Sequence, residues 1–301
     1  MKNYLYRGLL YGWHNFRSWV VDLRTICVFL CVMIFLYENI LGVATFANSY
    51  NLGFTPWMLP FMATTRIVDL VLWLALLLLL CDLGVEKRFD IYVQLRLPVW
   101  ALHIGRLFAA FLRVSFFWVV VSASPIFLFF RYIEWNSHWG KVIGTLARDI
   151  PENLLGTYSI RFSSMIVNRY SPAFATLICF FLSILEGWIL GIIILIGNDI
   201  YKKIFLGSSI AGFFVLLDFW VRTDPLACSR WIRFSFITFH NLRCISSIPK
   251  IGYITLAWAV GFCIISALAL AAFYIFQKFF SGVKYASDKK FMQVIWENTS
   301  P

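Results

Sequence analysis

Charged side chains are scarce in this 301-residue chain, where Asp, Glu, Lys and Arg together make up only 14% of the residues. Soluble domains carry roughly 25% charged residues and about 45–50% apolar ones, whereas the apolar share here is 61%. Too few polar side chains are present to cover the surface of a water-soluble globule, and so apolar a chain is not intrinsically disordered. The sequence therefore predicts an all-α polytopic membrane protein.

Sequence motifs of common enzymes and metal sites are also missing. The chain has no CxxC, HExxH or GxSxG pattern, which mark zinc sites, zinc proteases and α/β-hydrolases. It has no GxxxxGK[ST] motif for nucleotides either, since Gly140-Lys141 lacks the upstream glycine and the following hydroxyl residue. We therefore expect no catalytic residue, no metal site and no cofactor in this chain.

Long apolar runs are what the sequence does have. A membrane-spanning helix needs roughly 20 mainly apolar residues. Six segments approach or reach that length: Thr25–Phe46, Pro56–Leu80, Leu107–Phe130, Pro172–Gly197, Ile204–Val221 and Ile251–Phe276. No repeat or linker separates them, so we expect one transmembrane domain over residues 1–301.

The segment before the first span differs from the rest. Its apolar residues recur at helical spacing; they are Leu5, Leu9, Trp13, Phe16 and Val20. This pattern predicts a helix that lies in the membrane interface with its apolar side down. A tail that merely touches lipid is the alternative.

Basic residues outnumber acidic ones by 26 to 15, for a net charge of +11. They lie between the apolar runs, so we assign them to loops and anionic lipid headgroups rather than to nucleic acid. The short first loop, Ala47–Thr55, carries no charge, whereas Lys202 and Lys203 lie side by side in the short fourth loop. The distribution favours two cytoplasmic termini and a multi-pass protein of the cell membrane.

The connection between the second and third spans, residues 81–106, is mixed in charge and long enough for a short helix outside the membrane. A protruding helix with an aromatic residue and charges would fit a partner's groove. A solvated connector is the alternative.

This connection carries widely spaced polar and aromatic residues, namely Asp82, Tyr92, Arg96, Trp100 and Gly105. The run resembles the corresponding loop of small six-helix permease subunits of bacterial ATP-binding-cassette exporters, the type-2 permease group found mainly in Gram-positive bacteria. Other features of that group are an N-terminal elbow helix, a Pro-aromatic opening of the second span, and a proline after the fifth. Their counterparts here are Tyr4–Asp22, Thr55–Phe61 and Asp224–Leu226. The connection Arg131–Tyr170 is longer than the resemblance leads us to expect.

The resemblance implies a permease subunit without enzymatic activity, which depends on a separate cytoplasmic ATPase and on a second permease, either a second copy or a sibling. The N-terminal elbow, residues 1–24, and a cytoplasmic coupling helix within residues 81–106 would then rest on the ATPase. The residues expected to couple are Tyr92, Arg96, Trp100 and Arg106. The alternatives are a carrier that works without an ATPase, and a membrane scaffold or sensor.

Ionisable residues inside the predicted spans are expected to pair or to reach water, because a charge at mid-bilayer costs about 2.5–3.5 kcal/mol on insertion scales. Six residues are concerned: Glu38, Arg66, Asp69, Arg113, Glu186 and Asp218. Arg66 and Asp69 share a helix face and are expected to pair. We expect Glu186 to meet Arg113 or to line a polar cavity. Each of the two pairs, Arg66 with Asp69 and Glu186 with Arg113, has two interpretations: it lines a translocation path, or it is a structural pairing within the bundle.

Two extracytoplasmic connections are expected at residues 131–170 and 222–250. The second alternates aromatic and basic residues, which indicates an interfacial or re-entrant helix pair. Cys228 and Cys244 flank part of it on the oxidising side. They are either disulfide-bonded or separate apolar cysteines.

Overall fold

Apolar runs set the positions of the helices, because backbone groups in hydrocarbon must find their hydrogen bonds within their own segment. A computed structural model describes residues 2–85, 92–93, 96–148, 160–201, 204–223, 231–232, 235–245 and 253–276. Within these ranges the secondary structure is helical, apart from two isolated bridges that pair Phe54 with Ile133 and Ile245 with Ile254.

In chain order the helices are α1 (Lys2–Val20), α2 (Leu23–Ser49), α3 (Leu59–Thr64), α4 (Arg66–Leu80), α5 (Val99–Phe129), α6 (Gly140–Arg148), α7 (Ser164–Arg169), α8 (Pro172–Tyr201), α9 (Ile204–Thr223) and α10 (Leu256–Phe276). Five of them, α2, α5, α8, α9 and α10, are long and apolar enough to cross a membrane. The expectation of an all-α membrane protein is confirmed at this level.

The second predicted span is a broken helix. Thr65 between α3 and α4 is extended, with φ −87° and ψ 103°. Its hydroxyl donates to Phe61 O at 3.0 Å and accepts from Arg161 N at 3.0 Å. The extended residue is therefore stabilised in part by the connection between α6 and α7, which is distant in sequence. Neither half reaches the roughly 20 residues of a spanning helix, and a sixth continuous span is not confirmed.

The bundle has two ends, which we name by their contacts. At the near end, α1, the C-terminus of α4 and the N-terminus of α5 meet; Trp19 Nε1 donates there to Leu79 O at 3.1 Å. At the far end the loops after α2 and α5 meet, and Thr55 Oγ1 donates to Trp139 O at 3.3 Å. The near end holds the start of α5, which begins eight residues before the predicted third span and so includes Trp100 and Arg106.

Helix α1 lies directly on α5 with little side-chain material between the two backbones. A Cβ at Gly8 would lie 2.4 Å from Ala101 O, and one at Gly12 would lie 2.5 Å from Gly105 O. Small residues four apart on both helices allow this close approach. The predicted N-terminal helix is therefore present, but its glycine face packs on protein. Its position in the membrane interface stays a prediction.

Residues 235–245, in the far-end connection after α9, enter the bundle, and we call this stretch the re-entrant connection. Residues 236–242 are all buried, and the stretch contains two 3₁₀ turns, Phe236–Thr238 and Leu242–Cys244; much of the predicted helix pair over 222–250 lies outside the described residues and stays a prediction. The earlier far-end connection, residues 131–170, contains the short helices α6 and α7. Buried irregular backbone at this depth is tolerated because it is surrounded by protein rather than by lipid.

Candidate functional site

The first polar cluster, at the near end, centres on Asp82, which lies two residues after the end of α4. Its Oδ1 atom is 2.9 Å from Arg24 Nη2 and 2.7 Å from Arg113 Nη1. The Arg113 side chain, 1% exposed as a residue, also donates to Asn15 Oδ1 at 2.7 Å and lies 5.2 Å from the centre of the Trp19 ring. These contacts tie α1, α2 and α5 to the start of the connection that follows α4. We call Asn15, Arg24, Asp82 and Arg113 the near-end cluster.

Asn198 of α8 holds the same connection from the other side. Its Nδ2 donates to Cys81 O at 3.0 Å and to Leu83 O at 2.7 Å, and its Oδ1 accepts from Gly207 N at 3.1 Å. One amide side chain thus joins the connection to α8 and to α9. Residues 81–83 are therefore held directly by three helices, α2, α5 and α8, and through Arg113 and Asn198 they are linked to α1 and α9.

A neighbouring set of contacts joins α5 to α8 and α10. Arg106 Nη1 lies 3.5 Å from Asp199 Oδ1, and His103 Nδ1 lies 3.0 Å from the Tyr274 hydroxyl. Arg106, His103 and Tyr274 are all buried. These residues hold three long helices together at the near end.

The four predicted coupling residues differ in accessibility. Tyr92 is 69% exposed and Arg96 is also exposed, whereas Trp100 is half-buried. Arg106 is buried against Asp199, because α5 begins earlier than predicted and carries it into the bundle; its role in coupling stays a prediction. Of residues 86–95 the structure describes only Tyr92 and Val93, so the predicted coupling helix stays a prediction.

The second polar cluster lies in the far half of the bundle. We call Asp69, Glu186, Asp218, Arg222 and His240 the far-end cluster. Arg222 Nη2 lies 2.6 Å from both Asp69 Oδ2 and Asp218 Oδ2. His240 Nε2 lies 2.9 Å from Asp69 Oδ1, and His240 Nδ1 lies 2.7 Å from Glu186 Oε2. The cluster joins α4, α8, α9 and the re-entrant connection.

Local structure explains two of these placements. Asp69 is in the first turn of α4 and Arg222 is in the last turn of α9. A helix dipole favours a negative charge at the N-terminus and a positive charge at the C-terminus. Asp218 is one turn before Arg222 on α9, which allows the ion pair within that helix.

Further donors and rings surround the far-end cluster. Ser235 Oγ donates to Asp218 Oδ1 at 2.5 Å, and Thr238 Oγ1 donates to the same oxygen. The rings of Trp73 and Trp118 pack against His240, with centroid distances of 5.5 and 6.3 Å. Indole rings and closely packed helices shield the cluster, and all five of its members are buried.

Two predicted pairings inside the spans are wrong. Asp69 pairs with Arg222 and His240, while Arg66, three residues earlier on α4, is exposed. The break at Thr65 puts Arg66 at the first position of α4, where its side chain is exposed, whereas Asp69 is buried among other partners.

Arg113 does not meet Glu186. It pairs with Asp82 at the near end, whereas Glu186 contacts His240. Glu38, the remaining predicted intramembrane charge, is exposed on α2. The two buried residues that were expected to meet thus belong to separate clusters at opposite ends of the bundle.

The predicted cysteine pair falls partly outside the structure. Cys228 lies outside the described residues, while Cys244 is half-buried in the second 3₁₀ turn. A disulfide between them stays a prediction.

Sequence reasoning missed His240, Arg222 and Asn198 as members of polar networks. Arg222 had one local signal, the four-residue spacing from Asp218. His240 had none, because its partners Glu186 and Asp69 are 54 and 171 residues away in the chain.

Comparison with family models, with curated proteins and with solved structures found no match to this chain. The structure shows a helical protein with five helices long and apolar enough to cross a membrane, a buried far-end cluster and a partly buried near-end cluster. We infer what it does from those clusters and from the sequence.

Proposed function

We propose that the chain is the membrane-spanning permease subunit of an ATP-driven exporter, which works with a separate cytoplasmic ATPase and a second permease. The observation that carries this proposal is the attachment of residues 81–83. This short stretch is bound by Arg24, Arg113 and Asn198 from three different helices, and the same connection exposes Tyr92 and Arg96 further along.

Such an attachment is what mechanical coupling requires. Removing one partner of a buried ion pair costs about 3–5 kcal/mol, and in the Arg113–Asp82 pair the guanidinium is buried and the carboxylate partly so. We therefore expect the connection and the helices to move together. A soluble partner that binds the exposed part of the connection can therefore shift the bundle between two arrangements, provided it binds one of them more tightly.

Helix α1 supports the same interpretation. Its backbone lies against the start of α5 at Gly8 and Gly12, and its Asn15 bonds to Arg113. A force on α1 is therefore passed to α5 through backbone contact and through the near-end cluster. In this proposal α1 is the elbow helix, and α3 with α4 forms the sixth crossing of the membrane.

A carrier that works without an ATPase is the second candidate. Carriers build their sites near the bilayer midplane from interrupted helices. The break at Thr65 and the buried far-end cluster beside a re-entrant connection are features of that kind. The experiment below separates the two candidates.

A photo-crosslinking amino acid placed at Tyr92 tests the proposal in native membranes. We expect light to join the chain to a protein that binds and hydrolyses ATP, identified by mass spectrometry and by its ATPase activity. The matched control carries the same amino acid at Trp135, which is also exposed but lies at the far end. A carrier would give no ATPase adduct at either position, and this result would overturn the exporter proposal.

A further inference from the structure

The carboxyl groups of the far-end cluster outnumber its cations. Asp69, Glu186 and Asp218 face one guanidinium, that of Arg222, and one imidazole, that of His240. Even with the imidazole protonated, one negative charge has no counter-charge within the cluster. A buried, uncompensated charge is costly, and a group in that position takes up a proton instead.

The contacts show which carboxyl group lacks compensation. Asp69 and Asp218 share Arg222 at 2.6 Å, and Asp218 also accepts from the hydroxyls of Ser235 and Thr238. Among the described residues, Glu186 has one hydrogen-bond partner, His240, which it contacts through Oε2. Its Oε1 atom has no hydrogen-bond partner among the described residues, although the residue is 0% exposed.

Other titratable groups near Glu186 do not supply the missing charge. Asp69 faces it from α4, Asp218 from α9 and His240 from the re-entrant connection. The thiols of Cys179 on α8 and Cys263 on α10 are also close to it, while Arg222 is paired with Asp69 and Asp218 and has the thiol of Cys244 nearby. Thiols buried in apolar surroundings stay neutral. From α5 the neighbour is the uncharged indole of Trp118.

Two tryptophan side chains border the Glu186–His240 pair. The indole N–H groups of Trp73 and Trp118 are buried and have no hydrogen-bond partner among the described residues, and both rings pack on His240. Trp118 Nε1 also approaches α8 beside Glu186, 3.5 Å from where a Cβ would stand at Gly187. These neighbours carry no charge and leave the charge count of the cluster unchanged.

We infer that Glu186 and His240 form a proton-binding site within the membrane domain, and that the exchanged proton is carried on Glu186 Oε1. In the protonated state the imidazolium donates from Nδ1 to Glu186 Oε2 and from Nε2 to Asp69 Oδ1, Glu186 is a neutral carboxylic acid, and the cluster has no net charge. Loss of the Oε1 proton restores the carboxylate and leaves the cluster with one negative charge. In this inference the ligand is a proton; among the described residues, no three His, Cys, Asp or Glu side chains are grouped so that they could hold a metal ion.

This site makes the packing of α4, α8 and α9 depend on pH. Because the folded protein binds the proton more tightly than the unfolded chain does, stability falls as the pH rises through the titration of the site. The inference does not depend on the exporter proposal, because an ATPase-driven permease and a carrier can both contain such a site.

Infrared difference spectroscopy of the purified full-length protein tests the inference directly. Titrated from about pH 5, where ordinary carboxyl groups are already ionised, to about pH 10, the wild type should lose the carbonyl band of one buried carboxylic acid. The band should be absent from Glu186→Gln and present in Glu134→Gln, which removes an exposed far-end carboxyl group. A wild type without such a band would overturn the inference even if Glu186→Gln failed to fold.

Thermal unfolding at several pH values gives a second readout. We expect the wild type and Glu134→Gln to lose stability as the pH rises, and Glu186→Gln to lose much less of it, because a neutral amide replaces the acid. Repeating the series with sodium in place of potassium tells whether the site binds a proton or a sodium ion. A sodium-dependent stability at fixed pH that vanishes in Glu186→Gln would assign the site to a metal cation and overturn the proton assignment.

Discussion

The guanidinium of Arg113 lies 2.7 Å from the carboxylate of Asp82, although the two residues belong to different elements and are 31 positions apart. Arg113 is about four turns inside α5, while Asp82 follows α4, so the pair links the body of a long helix to the connection beside it. The function proposed for the near end depends on this link.

Replacing Asp82 by Ala should destabilise the protein strongly. Arg24 and Arg113 would both lose their carboxylate, and leaving a buried cation unpaired costs about 3–5 kcal/mol. The melting temperature of the purified protein in detergent measures the effect. Arg96→Ala is the control, since that side chain is exposed and surface changes stay within about 0.5 kcal/mol. Equal melting temperatures for the two variants would contradict the assigned role of the pair.

Replacing Gly8 by Ala should separate α1 from α5. The new methyl group would lie 2.4 Å from Ala101 O, which is backbone and cannot turn aside. Overpacking of this kind costs about 1–3 kcal/mol, and the loss is measured as a lower melting temperature. Gly261→Ala on α10 is the matched control, because a Cβ there meets nothing within 4 Å. A Gly8→Ala variant as stable as Gly261→Ala would show that the two helices are not in backbone contact.

Replacing Arg222 by Leu should disrupt the far-end cluster. Asp69 and Asp218 would lose the cation that lies 2.6 Å from each of them, at a cost of about 3–5 kcal/mol. Arg222→Lys should lose less, because it keeps the charge but not the planar group. The yield of folded protein and its melting temperature report both effects. Arg243→Leu serves as the control on an exposed arginine of the nearby 3₁₀ turn; if it were as damaging as Arg222→Leu, the cluster would not be the cause.

Cysteines introduced at Tyr92 and Trp135 should react with a membrane-impermeant thiol reagent from opposite sides. Both side chains are exposed, and they lie on connections at the two ends of the bundle. With cytoplasmic termini, Trp135→Cys reacts in intact cells and Tyr92→Cys only after the cells are opened. The exposed native Cys27 and Cys31 are replaced by Ser beforehand. Reaction of Tyr92→Cys in intact cells would reverse the orientation and remove the basis of the exporter proposal.

Local composition was sufficient to place the long helices. Burial in hydrocarbon demands about 20 apolar residues in a row, and that demand is visible in any such run, as it is for α2 and α8. The start of α5 was placed too late, because its first turns carry His103 and Arg106, polar side chains that find partners on other helices.

Local sequence patterns could not predict which buried polar residues pair with each other. Arg66 and Asp69 have the spacing of an ion pair, yet Arg222 and His240 compete for Asp69 from other elements. The helix break at Thr65 could not be predicted either, because no glycine or proline occupies that position. The break is stabilised by the backbone N–H of Arg161, which belongs to a distant connection.

From its residues alone, the chain is specified as a membrane protein with long apolar helices and an amphipathic N-terminal segment, because hydrophobicity and helical period are properties of neighbouring residues. The pairing of the buried charges, by contrast, was decided by the tertiary structure. A carboxylate in a low-dielectric interior is stabilised by whichever cation the folded chain brings within about 3 Å, and for Glu186 and Asp82 that choice was made by the packing of helices far apart in sequence.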